Sequence, residues 1–219
     1  MHEKKILYLG LDPSRYKAQG DIHHFPVIHI VARSGNSLEV LDSFKDVPLY
    51  THMVFTSRNA ARIFFETHKE LNCGDISKNC IIIAVGKATA SLLVKLGFSP
   101  NITAISETAE GVVQALSQID LSSAFCFWPH SSLSRPLISD FFLKEKIRFK
   151  ECSLYDTLPV KAEKIPDLKE FKEIIFTSPS TVDAFLQIFP KVPEGIKITP
   201  IGPVTEKYLS KVNRRFCII

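Results

Sequence analysis

Met53-Val54-Phe55-Thr56-Ser57-Arg58-Asn59-Ala60-Ala61 is answered 121 positions later by Ile174-Ile175-Phe176-Thr177-Ser178-Pro179-Ser180-Thr181-Val182. Each is a short apolar run, the length of a buried strand, that halts at Thr-Ser and passes into helical three-and-four spacing. The apolar positions that follow are Ala61, Phe64 and Phe65 in the first copy and Val182, Phe185, Leu186 and Phe189 in the second. Both copies therefore put hydroxyls where a strand ends and a helix begins. In an open α/β sheet that edge, outside the carboxyl ends of the strands, is where ligands bind. A second pair, Val85-Gly86-Lys87-Ala88-Thr89 and Ile201-Gly202-Pro203-Val204-Thr205, repeats at 116 positions, nearly the same offset. Two similar lobes are the economical explanation.

Working outward, strands are predicted at Ile6–Leu9 and Phe25–Val31, with Asp12, Pro13 and Gly20 making the connection irregular and leaving little room for a helix. Further strands fall at Cys80–Val85, Ile102–Ile105, Ala124–Trp128, Arg148–Leu154 and Lys197–Ile201, and helices fall between them. Strand and helix in alternation predict parallel sheets. The first two strands cannot form a domain alone, so residues 1–32 are expected to join residues 161–219 in one lobe. Residues 37–154 form the second, inserted lobe, with linkers at 33–36 and 155–160.

At 219 residues the chain can fill two cores of roughly 100 residues each. Hydrophobic content of 45 % with 23 % charge is that of a globular chain, and a net charge of +4 is too small to argue for nucleic acid. Five cysteines without Cys-x-x-Cys spacing suggest reduced thiols rather than a disulfide framework or zinc site. The apolar run Ile6–Leu11 is broken by Asp12 and Pro13, too short for a signal peptide or membrane span. A cytoplasmic protein, off the membrane, is the expectation.

Gly86-Lys87-Ala88-Thr89 looks like the end of a phosphate-binding loop, but Ile81 stands where its first glycine must be, which argues against ATP. No nucleophile elbow, metalloprotease helix or dinucleotide fingerprint is present. His23, His24 and His29 lack accompanying cysteines or carboxylates and read as loop and strand residues rather than metal ligands. What remains is a set of helix N-termini bearing Thr, Ser and Gly, whose unpaired N–H groups and dipoles favour carboxylates. Taken singly, Ser57, Ser180 and Thr205 read as helix caps. Repeated in pairs across two lobes, they point toward binding, and Arg58 and Lys87 beside the turns could pair with a ligand's carboxylates.

In order and spacing, Phe55-Thr56-Ser57-Arg58-Asn59-Ala60, Val85-Gly86-Lys87-Ala88-Thr89-Ala90, Ala109-Glu110-Gly111, Tyr155-Asp156-Thr157, Phe176-Thr177-Ser178-Pro179-Ser180 and Ile201-Gly202-Pro203-Val204-Thr205 resemble the uroporphyrinogen-III synthases. The resemblance covers most of the chain from Phe25 onward. It implies two flavodoxin-like (Rossmann-like) lobes joined by a two-stranded linker, with the active site in the cleft between them. It also implies the reaction: cyclisation of hydroxymethylbilane, a linear tetrapyrrole with eight carboxylates, by loss of its hydroxyl as water and inversion of the last ring through a spiro intermediate, without metal or organic cofactor. The product is uroporphyrinogen III, a precursor of haem. Tyr155 matches the family's tyrosine proposed to assist departure of the hydroxyl. Thr89, Ser178, Ser180 and Thr205 match positions that bind the acetate and propionate groups or line the cleft, and Thr56, Ser57, Arg58, Gly86, Lys87, Thr177 and Gly202 complete the expected substrate-binding set. A monomer that opens to admit substrate and closes on product is expected, because only two short segments join the lobes.

Two departures from the family pattern stand out. Gly10-Leu11 and the stretch to Gly20 replace the usual Arg-Pro turn and long first helix, and the sequence ends at Ile219 before a counterpart of Ala109-Glu110-Gly111. The first lobe is therefore expected to be trimmed at both ends. This supports an alternative from another class, a two-lobed module that binds an anionic, tetrapyrrole-like ligand without turnover; the presence of Tyr155 beside intact Thr-Ser turns argues against it.

Overall fold

Lys5–Tyr8 forms β1, whose Ile6, Leu7 and Tyr8 are all buried, and it pairs in parallel with β2, Asp21–His24. The computed structural model describes residues 4–17, 20–212 and 217–218 and divides into two units, 1–30 with 157–219 and 31–156. Among the described residues, a 3-10 turn at Pro13–Arg15, capped by Asp12, is the regular structure between β1 and β2. Strand β2 corrects the loop expected at His23 and His24. Its sequence, Asp-Ile-His-His, carries no apolar alternation because it is an edge strand whose residues are exposed or half-buried. Pro26 follows, and β3 (Ile28–Ala32) begins only beyond it.

In the unit of residues 31–156, Ser37 caps α1 (Leu38–Phe44). Then come β4 (His52–Phe55), α2 (Arg58–Leu71), β5 (Ile81–Ala84), α3 (Lys87–Lys95), β6 (Ile102–Thr103), α4 (Ala109–Leu116), β7 (Phe125–Ser131), α5 (Leu137–Lys144) and β8 (Arg148–Pro159). The sheet runs β3-β8-β7-β4-β5-β6, with β4, β5, β6, β7 and β8 paired in parallel. One face carries Val54, Ile83, Cys126 and Trp128 against Val112, Leu116, Ile138 and Phe142. Phe44, Tyr50, Phe55, Phe64 and Phe127 cluster as rings, with Tyr50 stacked on Phe127 at 4.7 Å and donating its hydroxyl to the Ser43 carbonyl. Each fully buried ring contributes about 1.5–3 kcal/mol. The short α1 lies in this cluster through Phe44, one turn after the buried Val40.

In the other unit, β9 (Glu173–Phe176) leads into α6 (Pro179–Ile188), followed by β10 (Lys191–Val192), β11 (Lys197–Pro200), α7 (Pro203–Val212) and β12 (Cys217–Ile218), which pairs with β10. Its main sheet is parallel, in the order β11-β9-β1-β2. Leu7, Leu9, Ile174 and Phe176 pack there with Val182, Phe185 and Leu209. Because the sequence repeat matches β9 to β4 and β11 to β5, β1 stands where β7 stands in the other unit and β2 where β8 stands. One sheet is the other with its starting point moved along the chain.

The strand order reverses between β4 and β7 in one unit and between β9 and β1 in the other, so each crevice outside the carboxyl ends opens at a Thr-Ser turn. The division into units falls at Ile30/Val31 and Asp156/Thr157, inside β3 and β8; the first point precedes the linker expected at 33–36 and the second lies within the one expected at 155–160. Residues 155–159 continue β8 as strand, and Val160 N–H donates to the Val27 carbonyl beyond it. Among the described residues, no helix is long and apolar enough to cross a membrane.

Candidate active site at the strand ends

At the end of β4, Thr56 and Ser57 turn the chain into α2 in two different ways. Thr56 Oγ1 accepts the indole N–H of Trp128 at 3.2 Å, which fixes the strand end against β7. Ser57 is the N-cap, with extended backbone and its Oγ accepting the Ala60 N–H at 2.9 Å. That leaves Ser57 one proton and one lone pair, and the Tyr155 hydroxyl lies 2.9 Å away. Arg58 opens α2 and is partly buried.

Tyr155 is 5 % exposed, so its ring is packed and only its hydroxyl has chemistry to offer. Burial pushes the phenol pKa up, and hydrogen bonds to Ser57 and Ser131 hold that rise back. A phenol that keeps its proton at neutral pH serves as a proton donor. Ser131, at the end of β7, stands opposite Tyr155 in the register where β7 and β8 slip out of step. Ser131 and Trp128 were not among the residues expected at the site. Their signal was present only as the end of a predicted strand, Ala124–Trp128, that stopped three residues early.

At the start of α3 the protein's own carboxylate displays the chemistry expected of such turns. The Lys87 backbone N–H donates to Glu107 Oε1 at 2.9 Å, while the side chain of Lys87 is exposed. Gly86 makes room for this: a Cβ there would lie 2.4 Å from the Glu107 Cδ. Thr89, 3 % exposed, faces the interior. Glu110 is committed as well, held by both terminal nitrogens of Arg135 at 2.6 and 2.9 Å, and its carboxyl is pushed down to about 2, chiefly by that arginine.

The second Thr-Ser turn is a reciprocal cap. Ser178 Oγ accepts the Thr181 N–H at 3.3 Å, and Thr181 Oγ1 accepts the Ser178 N–H at 3.2 Å and the Thr177 N–H at 3.2 Å. Ser180 is not the cap; its hydroxyl is 2.9 Å from that of Ser178. Thr177 packs against Gly10 at the end of β1. Gly202 precedes α7, and Thr205, in that helix's first turn, is 2 % exposed and turned inward. The expected residues thus fall into groups: Ser57 with Tyr155, Ser178 with Ser180, and the buried Thr89 and Thr205 apart from either. Among the described residues no cluster of three or more His, Cys, Asp or Glu is arranged to hold a metal ion.

A family model described as uroporphyrinogen-III synthase HemD matches residues 14–215. The chain is 26 % identical to a porphyrin biosynthesis protein HemD of Ruminiclostridium josui across 98 % of its own length, but it spans only 42 % of that protein. It is also 26 % identical to a putative uroporphyrinogen-III synthase of Methanothermobacter thermautotrophicus over 73 % of this chain and 68 % of that one. Among solved structures, a mutant uroporphyrinogen III synthase of Thermus thermophilus is similar with a TM-score of 0.65 at 15 % identity, covering 96 % of this chain and 89 % of that one. The Helicobacter pylori uroporphyrinogen-III synthetase is similar with a TM-score of 0.62 at 18 % identity, covering 98 % and 92 %. At these identities the structural likeness is one of fold, whereas the family match runs through both Thr-Ser turns and Tyr155, and the chain belongs to the uroporphyrinogen-III synthase HemD family.

Proposed function

We propose that this protein cyclises hydroxymethylbilane to uroporphyrinogen III, with loss of water and inversion of the last ring, and that Tyr155 is its catalytic acid. The observation that carries this reading is the buried Tyr155 hydroxyl, 2.9 Å from the cap of α2 at the switch point of a parallel sheet. The substrate's hydroxymethyl carbon–oxygen bond breaks as the phenol passes its proton to the departing oxygen, which leaves as water. The pyrrole nitrogen lone pair stabilises the carbon cation so formed. Ser57 can turn its own proton toward the phenol oxygen as charge develops there, since its lone pair toward Ala60 stays occupied. Such acid assistance contributes on the order of 10²–10⁴ in rate.

The remaining turns suit the substrate's acetate and propionate groups. Thr56, Arg58, Gly86, Lys87 and Thr177, with Ser178, Ser180 and Gly202, lie at or beside helix starts, and the Glu107 carboxylate on the Lys87 N–H is an example of the contact they can make. Thr89 and Thr205 support these turns from inside their helices. Since hydroxymethylbilane closes unaided to the uninverted isomer, holding the chain's ends in one conformation is most of the task. The deciding experiment incubates the purified protein with freshly generated hydroxymethylbilane and separates the product isomers. Isomer III is expected to dominate; isomer I alone, at the rate of the buffer control, would refute the proposal.

A further inference from the structure

We infer that Arg33 is a positioning residue for the Tyr155 hydroxyl, acting through Asp156, an inference that deepens the synthase reading and rests on it for its kinetic readout. Arg33 follows β3, and its backbone N–H donates to the Leu154 carbonyl at 2.8 Å. Its side chain then reaches along β8. Nε and Nη2 each donate to one oxygen of Asp156 at 3.2 Å, a forked pair, and Nη1 donates to Glu39 Oε2 at 3.2 Å. Glu39 Oε1 in turn accepts the Ser153 N–H at 2.9 Å. Residues 153, 154 and 156 are thereby all tied, directly or through Glu39, to Arg33, and Tyr155 is the residue they bracket.

The location explains why such ties are needed. Between His130 and Ser131 the β7–β8 register slips, so that Ser131 stands opposite Tyr155. At a bulge the ladder no longer dictates where a side chain points. The Tyr155 carbonyl accepts the Ser132 N–H at 3.0 Å, and Arg33 and Glu39 add side-chain ties to the residues on either side of it. All three guanidinium nitrogens are used on carboxylates, so Arg33 is occupied by the strand and is not one of the cations offered to substrate. Its pair with Asp156 is partly shielded, at 34 % and 33 % side-chain exposure, and Arg33 first, then Ser132, holds the Asp156 carboxyl below the usual carboxylate range.

A double-mutant cycle tests this. Arg33→Ala is expected to lower kcat about tenfold with KM changed less than about twofold, and to lower it no further when Tyr155 is already phenylalanine. Arg33→Lys, which keeps the charge but not the fork, should recover only part of the loss. The same fall in kcat in both backgrounds, or an unchanged kcat, would overturn the inference. Should Arg33→Ala fail to fold, Asp156→Asn takes its place in the cycle with the same expectations. A second readout does not need turnover: the alkaline ionisation of Tyr155, taken as the difference in near-ultraviolet absorbance between wild type and Tyr155→Phe, should move to higher pH when Asp156→Asn is introduced into both, because Tyr155 then loses the Ser57 and Ser131 bonds that hold its pKa back. No movement, or the movement to lower pH that loss of the Asp156 charge alone would give, would overturn the positioning role. If the wild type makes no isomer III, the synthase proposal fails alone, and the titration still decides the role of Arg33.

Discussion

Replacing Tyr155 with phenylalanine removes one oxygen and keeps a ring that is 95 % buried, so the packing of β8 should survive. The stability cost is set by what the hydroxyl leaves behind. Ser57 Oγ keeps the Ala60 N–H as a partner and Ser131 is only half-buried, so no fully buried group is orphaned and the loss is that of one or two ordinary hydrogen bonds, about 1–2 kcal/mol. For a chain of this size each kcal/mol corresponds to roughly 2–4 °C in the thermal midpoint. The kinetic cost should be larger, at least tenfold in the rate of isomer III formation, or about 1.4 kcal/mol in the barrier. The assay has an internal clock, because unaided closure of hydroxymethylbilane to isomer I proceeds at the same rate in every tube. As the enzymatic rate falls, the ratio of isomer III to isomer I should fall with it. An unaltered ratio, in a variant whose midpoint moves no more than a few degrees, would reduce Tyr155 to a packing residue and refute the acid role.

Glu173, 3 % exposed at the start of β9, accepts from Lys4 at 2.5 Å and Thr199 at 2.5 Å and pairs with Lys197 at 3.3 Å. Burial raises its pKa, but these partners outweigh burial and the net shift is downward; its contribution is therefore complete above the unfolded carboxyl's pKa and lost as pH falls through the lower folded value. Glu173→Gln should lower the midpoint at neutral pH by an amount worth about 1–3 kcal/mol, and the gap to wild type should close in acid; a gap independent of pH would contradict the charge assignment. At the other end of the same sheet, Gly10→Ala would place a Cβ 2.5 Å from Thr177 Cγ2 and 3.0 Å from the Tyr8 ring. Denaturant titration should show a loss of about 1–3 kcal/mol from overpacking, and an undisturbed midpoint would mean that Thr177 can turn aside freely.

The parts of this molecule legible in the sequence were those in which one short segment carries the whole signal. At β4 and β9, four apolar residues, a Thr-Ser pair and a helical stripe announce the strand, the cap and the burial together, because all three are local. Strand β2 was illegible because an edge strand needs no apolar face, and α1 because seven residues show barely two turns of periodicity. Tyr155 was found through its resemblance to a family motif; its bonds to Ser57 and Ser131 could not be, since they depend on register between distant strands. The Arg33–Asp156 fork spans 123 positions, and Arg33 sits in what reads as a polar turn. The Thr-Ser turns marked the starts of α2 and α6, but Ser178 rather than Ser180 caps α6, and which hydroxyls are buried was not legible: Thr89 and Thr205 share the motif spacing and yet turn inward.

The displaced starting point of one sheet has a consequence for synthesis. Strand β1 pairs with β9, Ile6 opposite Glu173, so residues 5–24 leave the ribosome long before the strand that completes their sheet exists. The whole of residues 31–156 is made in between, and its parallel sheet, apart from β3, is built from strands lying consecutively within that stretch. During that interval Ile6, Leu7 and Leu9, all fully or nearly fully buried in the finished protein, have β2 alone to pair with. At about 5–20 residues per second the wait is on the order of ten seconds, an interval in which an apolar strand edge is open to chaperones and to aggregation alike.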